Sequence, residues 1–183
     1  MPSVHIIVLA GGASSRMGAD KAQVRLHGVR LIDALLATLD RPVTVVHPGP
    51  VDLPPDVARV CEDPPLGGPV AGIAAAVRPD CDLTAVLAVD APHSGAALPR
   101  LHAALARTPA AGVACIAGEP LCALWRTEAL VAALAGLGSP RDRSARALLA
   151  QANVVTVAPD GSERDYDTPE ELAAANQRSN PPR

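Results

Sequence analysis

The densest concentration of chemically useful residues lies at positions 9–21, Leu-Ala-Gly-Gly-Ala-Ser-Ser-Arg-Met-Gly-Ala-Asp-Lys. Gly11, Gly12 and Gly18 permit backbone conformations and close approaches that a β-carbon would block. Loop amides can then turn toward phosphate oxygens, with Arg16 and Lys21 supplying positive charge. Lys21 is the one lysine among sixteen Lys and Arg residues, which points to a position that needs a compact ammonium. The run is neither of two common phosphate loops. A P-loop has Gly-Lys followed by Ser or Thr, but here Asp20 precedes Lys21 and Ala22 follows it. The dinucleotide fingerprint needs its first two glycines separated by one residue, and Gly11 and Gly12 are adjacent.

Further candidates are scattered along the chain. Asp90 ends the strongest apolar run and suits either a Mg²⁺ ligand or the N-cap of a following helix. Asp63 sits in an acidic Glu-Asp turn and is either a ligand-binding or a turn residue. His47 precedes Pro48 and reads either as a hydrogen-bond donor to a ligand or as a loop histidine. Arg16 suits a phosphate contact or a surface ion pair. Arg141, Arg143 and Arg146 form a cluster that suits a phosphorylated ligand or a solvated basic face.

The elements that must position these groups alternate between strand and helix. Short apolar, β-branched runs at 4–9, 42–46, 57–61, 83–89, 112–116, 121–125 and 154–157 read as strands. Helical spacing occupies 31–39, 70–77, 96–106, 128–137 and 144–151. Thr168-Pro169-Glu170-Glu171 opens a last helix with a capping residue, Pro at N1 and an acidic first turn. Such alternation predicts a doubly wound α/β fold of three layers around a mostly parallel sheet. Ligands of these sheets gather at the carboxyl ends of the strands, where residues 10–21, His47, Asp63 and Asp90 fall. A single domain is expected over 1–176, with a disordered tail at 177–183.

Composition narrows the function classes. About half of the 183 residues are apolar, yet there is no Phe and only one Trp and one Tyr. The core must therefore rest on Val, Leu, Ile and Ala. Exposed ring platforms for nucleic acid are not available, and a net charge of −3 with no basic stripe also argues against a polyanionic partner. Cys61, Cys81, Cys115 and Cys122 lack metal-ligand spacing and read as buried thiols of a reducing compartment. With no run long enough to span a membrane, the expectation is a cytoplasmic protein, a monomer or weak oligomer.

The run at 9–21 closely resembles the signature of the molybdenum cofactor guanylyltransferases, within the nucleotidyltransferases of Rossmann-like fold. Three more landmarks follow in order: Asp63 ahead of Gly-Pro-Val-Ala-Gly-Ile at 68–73, Val-Asp-Ala-Pro at 89–92, and Asp-Tyr-Asp-Thr-Pro-Glu-Glu-Leu at 165–172. The resemblance implies GMP transfer from GTP to the terminal phosphate of molybdopterin, the molybdenum cofactor precursor, with release of pyrophosphate. It implies nucleotide contacts from Leu9, Ala10, Gly11, Gly12, Lys21, His47, Asp63 and Asp90, and a catalytic role for Arg16, Lys21 and Asp90. Asp90 would hold Mg²⁺, and Asp165 and Asp167 would face the acceptor, which Arg143 and Arg146 of the basic cluster could also receive. Transient contact with molybdoenzyme apoproteins is also implied. The chain departs from the family pattern at Asp165 and Asp167, where Asn is usual, and at His47, also in an Asn position. Cytidylyl transfer to the same cofactor, disfavoured by Gly12, and a non-catalytic nucleotide-binding accessory protein are the competing readings.

Overall fold

In the computed structural model, which describes residues 2–11 and 20–178, strands and helices alternate as the apolar pattern requires. Strand β1 (Val4–Leu9) is followed by a hairpin of β2 (Arg25–Leu26) and β3 (Val29–Arg30), then by α1 (Leu31–Leu36). Next come β4 (Val43–Val46), β5 (Ala58–Val60), α2 (Pro69–Ala76) and β6 (Leu83–Ala88). A 3-10 turn (Ser94–Ala97) leads into α3 (Leu98–Arg107), then β7 (Val113–Ile116) and β8 (Glu119–Arg126). The remaining elements are α4 (Thr127–Gly136), α5 (Ala145–Leu149), β9 (Val154–Val157) and α6 (Pro169–Arg178).

Seven strands form one sheet in the order β5-β4-β1-β6-β8-β7-β9. Every neighbouring pair is parallel except those involving β8, which runs antiparallel to β6 and β7. That reversal has a simple cause. Only two residues, Ala117 and Gly118, separate β7 from β8, and a parallel partner would need a long crossover. The turn uses Gly118 at φ 92°.

Successive side chains of β1 feed opposite cores, as a pleated strand dictates. Ile6 and Val8 pack with Leu31, Leu35, Leu101 and Leu105 on one face. Ile7 and Leu9 pack with Val70, Ile73, Leu130 and Trp125 on the other. Helix α3 shows why its face is buried: Leu101, Ala104 and Leu105 recur at helical spacing, and all three are inside. With no Phe to fill space, closeness comes from small residues. A β-carbon at Gly112 would lie 2.8 Å from Ala129 Cβ.

Several expected boundaries move. The helix expected at 31–39 ends at Leu36, and that expected at 96–106 begins as a 3-10 turn before α3. Helix α6 runs through Arg178, so the part of the expected tail at 177–178 is helical, and 179–183 lies outside the described residues. The β2–β3 hairpin is a feature that the apolar pattern does not announce. Its turn places both His27 (φ 51°) and Gly28 (φ 83°) in left-handed conformation, the geometry of a tight hairpin connection. Of the cysteines, Cys115 and Cys122 are buried, and burial pushes their thiols up to about 11 and about 12 respectively. Cys61 and Cys81 are only half-buried. Among the described residues, no helix is long and apolar enough to cross a membrane.

His5 in β1 carries a pH liability. Its ring is buried, with Nε2 2.9 Å from Thr44 Oγ1 and Nδ1 unpartnered. Burial, then the nearby charge of Arg78, holds its pKa below the ordinary 6.5. The unfolded chain therefore binds the proton more readily, and stability falls as pH drops below about 6.5. Urea midpoints should decline between about pH 7 and pH 5, with a shallower slope in His5→Gln.

Candidate active site

The sheet opens at the carboxyl end of β1. The ladder continues one step beyond the strand, with Ala10 N–H donating to Val46 O at 3.0 Å and Val89 N–H to Leu9 O at 3.0 Å. The chain then diverges, because β4 lies on one side of β1 and β6 on the other. This is the topological switch point where open α/β sheets bind ligands. A cavity of about 430 Å³ occupies it. Its walls include Leu9, Ala10, Gly11, Lys21, Glu62, Asp90, Asp142 and the start of α2. Gly72 lets α2 lie close: a β-carbon there would be 3.0 Å from Val46 Cγ1 and 3.2 Å from Leu9 Cδ2. No side chain caps α2, whose N-cap is Gly68, and Gly68, Pro69 and Gly72 line the cavity.

Lys21 joins two distant parts of the chain. Its Nζ donates to Asp90 Oδ2 at 2.7 Å and to Asp167 Oδ1 at 2.6 Å. The backbone sets up this meeting, since Tyr166 N–H donates to Asp90 O at 3.0 Å. Asp167 is also fixed from its other side. Glu171 Oε2 accepts from the amides of Asp167 and Thr168 at 2.9 and 3.1 Å, and Glu171 N–H donates to Thr168 Oγ1 at 3.2 Å, which makes a reciprocal cap on α6. Burial opposes the charge on Lys21, but the hydrogen bonds it donates to Asp167 and Asp90, with the charges of those carboxylates, together outweigh it and raise its pKa.

A second space, about 230 Å³, lies beyond Asp90 and is lined by Glu119, Ser94, Asp165 and Asp167. Burial, then repulsion from Asp167 and Asp90, raises the pKa of Asp165. Burial, then neighbouring carboxylates led by Asp165, does the same for Glu119. Among the described residues, Lys21 is the one cationic side chain lining either space.

The structure thus brings together Leu9, Ala10, Gly11, Lys21, Asp90, Asp165 and Asp167 around two adjoining spaces. Gly12 and Arg16 lie outside the described residues. His47 does not line the cavity. It is buried, with Nε2 3.2 Å from both oxygens of Asp20. Asp20 Oδ1 in turn accepts from Ala22 N–H at 3.0 Å, so this pair braces the turn that carries Lys21. Asp63 is exposed, and its neighbour Glu62 forms the cavity wall instead. Arg143 and Arg146 are exposed and line neither space. Arg141 donates to Pro64 O at 3.0 Å, and Asp142 N–H to Gly67 O at 2.7 Å, which clamps that loop over the start of α2. Glu62, Glu119 and Asp142 are site residues that the sequence reading missed. An adjacent acidic pair signals Glu62, but nothing local signals Asp142.

Residues 6–157 match the family model described as MobA-like NTP transferase domain. Over 178 residues the chain is 35% identical to the molybdenum cofactor guanylyltransferase of Xanthomonas euvesicatoria pv. vesicatoria (strain 85-10), covering 90% of each protein. It is 36% identical over 135 residues to the molybdenum cofactor guanylyltransferase of Sinorhizobium fredii (strain NBRC 101917 / NGR234), covering 65% of this chain and 62% of that protein. Among solved structures, molybdopterin-guanine dinucleotide biosynthesis protein A from Archaeoglobus fulgidus has a TM-score of 0.73 at 21% identity, covering 96% of this chain and 98% of that one. That likeness shows the fold.

If His47 acts only by bracing Asp20, the two residues form one unit. His47→Ala and Asp20→Ala should each weaken nucleoside triphosphate binding about tenfold, and the double variant no more than either single one. Calorimetric titration of the three variants measures this, and additive losses would separate the two roles.

Proposed function

The chain belongs to the molybdenum cofactor guanylyltransferase family, and on that premise we propose that it transfers GMP from GTP to the terminal phosphate of molybdopterin. An oxygen of the acceptor phosphate attacks the α-phosphorus of GTP. The bond from that phosphorus to the bridging oxygen breaks, and pyrophosphate leaves with the electron pair.

The observation that carries this reading is the position of Lys21. Its ammonium sits where the two spaces meet, bridged to Asp90 and Asp167. Phosphoryl-type transfer demands alignment and charge neutralisation more than covalent chemistry from the protein. The larger cavity, floored by strand ends and headed by the first turn of α2, suits the nucleotide. The smaller one suits part of the acceptor, whose phosphate would meet the α-phosphate beside Lys21.

Two carboxylates that converge on one ammonium are also able to face one metal ion. Asp90, with Asp167 beside it, would hold Mg²⁺ together with phosphate oxygens, and the ion would supply charge neutralisation when bound. Lys21 would then be released toward the phosphates. Asp20 and His47 brace Lys21, and Glu171 keeps Asp167 in place. The reading carries with it a cytoplasmic enzyme that meets molybdoenzyme apoproteins transiently.

Binding of GTP, CTP, ATP and UTP in the presence of Mg²⁺, followed by calorimetry, tests the proposal. GTP should bind selectively, and Asp90→Ala should weaken it. A preference for CTP would make the chain a cytidylyltransferase, and folded protein that binds no nucleotide would refute the reading. Lys21→Ala should fold normally and lose about a hundredfold or more in turnover. A rate like that of the unaltered enzyme would remove Lys21 from the chemistry.

A further inference from the structure

The smaller space, about 230 Å³, falls below the roughly 300 Å³ at which pockets for whole drug-sized ligands begin, so it takes one part of a ligand. Its polar lining is one-sided. Asp90, Glu119, Asp165 and Asp167 line it, and the one cation at its margin is Lys21, bridged to Asp90 and Asp167. Glu163 borders it too, but its carboxylate already accepts from the amides of Asp160 and Gly161. A phosphate is therefore kept at the Lys21 end. Whatever enters further must be uncharged and rich in N–H donors, because ionised carboxylates only accept and they repel anions.

One group breaks the acidic pattern. Ser94 opens the 3-10 turn after β6 and lines this space, yet it is 1% exposed and its Oγ has no hydrogen-bond partner. Buried hydroxyls are almost always paired, so an unpaired one in a pocket wall marks the place of an acceptor atom on a ligand. The turn that carries it is fixed. Ser94 N–H donates to Ala91 O at 3.0 Å, and a β-carbon at Gly95 would collide with Thr38 Oγ1. Glu119 starts β8, which runs antiparallel to β6 with Val86 opposite Ala123, so it meets the segment after β6 at the same edge. Ala91, Pro120 and Leu121 add apolar walls for a flat ring.

A carboxylate beside a hydroxyl is answered by an edge with two adjacent N–H donors followed by a carbonyl oxygen. The pyrimidinone ring of a pterin presents that order: 2-amino group, N3–H, 4-carbonyl. We propose that the smaller space is a subsite for this edge, with the Glu119 carboxylate accepting from the 2-amino group and N3–H, and Ser94 Oγ donating to the 4-carbonyl. Asp165, two residues from Asp167, belongs to the phosphate end. The assignment rests on the guanylyl-transfer reading and names the part of the acceptor that the smaller space holds.

Guanine carries the same edge, so the test first fills the larger cavity with GTP and Mg²⁺. Ligand-observed NMR titrations then give dissociation constants of pterin and of lumazine, which has a carbonyl in place of the 2-amino group. The unaltered chain should bind pterin roughly tenfold or more tightly than lumazine. Glu119→Gln should lose that preference or turn it toward lumazine, since the Gln amide can donate to the added carbonyl. Ser94→Ala should weaken both ligands about fivefold, because both keep the 4-carbonyl, and its melting midpoint should stay unchanged, because Oγ has no partner in the fold. An unaltered chain without preference, pterin binding that GTP abolishes, Glu119→Gln with the preference intact, or Ser94→Ala that melts earlier or binds both ligands as before would overturn the subsite. Transfer of GMP to molybdopterin by an unaltered chain without the preference would overturn the subsite and leave the transfer reading standing. A chain that shows the preference and transfers no GMP would overturn that reading and leave the subsite.

Discussion

Two carboxylates held side by side at the rim of a sheet need a cation between them. In this chain the cation is Lys21, placed 2.7 Å from Asp90 and 2.6 Å from Asp167. Without it, Asp90 and Asp167 would repel across a half-buried gap already crowded by Asp165 and Glu119. The contact also closes the fold at this edge, because Asp167 lies 146 positions from Lys21 in sequence. The group that a triphosphate would most need is thus the one that holds this edge together electrostatically. Entry of phosphates and a divalent ion would exchange one set of charges for another and leave no carboxylate bare.

The sheet makes this arrangement possible by its order. Placing β4 and β6 on opposite sides of β1 splits the chain at the carboxyl edge and leaves room for a ligand. Gly72 keeps α2 low against Val46 and Leu9. Antiparallel β8 brings Glu119 and Leu121 to the same edge, since its start lies where its antiparallel neighbours β6 and β7 end. The loop after α4 covers the far end, where Asp142 at φ 56° and Leu66 at φ 62° hold left-handed conformations. Non-glycine residues in that region are uncommon, and their presence on facing loops marks a constrained wall.

Much of the scaffold was legible because strands buried on both faces leave continuous apolar runs, as in Val4–Leu9 and Leu83–Ala88. Lys21 and Asp90 were legible for a related reason: each follows an unmistakable strand end or lies in its glycine loop. The hairpin at Arg25–Leu26 and Val29–Arg30 was not, since two-residue strands carry no periodicity and its turn uses His27 at positive φ. Pattern alone also gave no means of choosing between Glu62 and Asp63, because the turn decides which of two consecutive side chains faces inward. Asp142 and Glu119 reach the site through loop docking and strand reversal, and both are tertiary facts with no local sequence mark.

The most direct measurement of the central claim is transfer of an α-labelled phosphate. The enzyme, Mg²⁺ and molybdopterin would be mixed in turn with α-labelled GTP and CTP, and the pterin product separated and counted. Label arriving on the pterin from GTP, with one pyrophosphate released per label transferred, is the predicted result. Label arriving only from CTP, or pyrophosphate released from GTP with no label on the pterin, would contradict it.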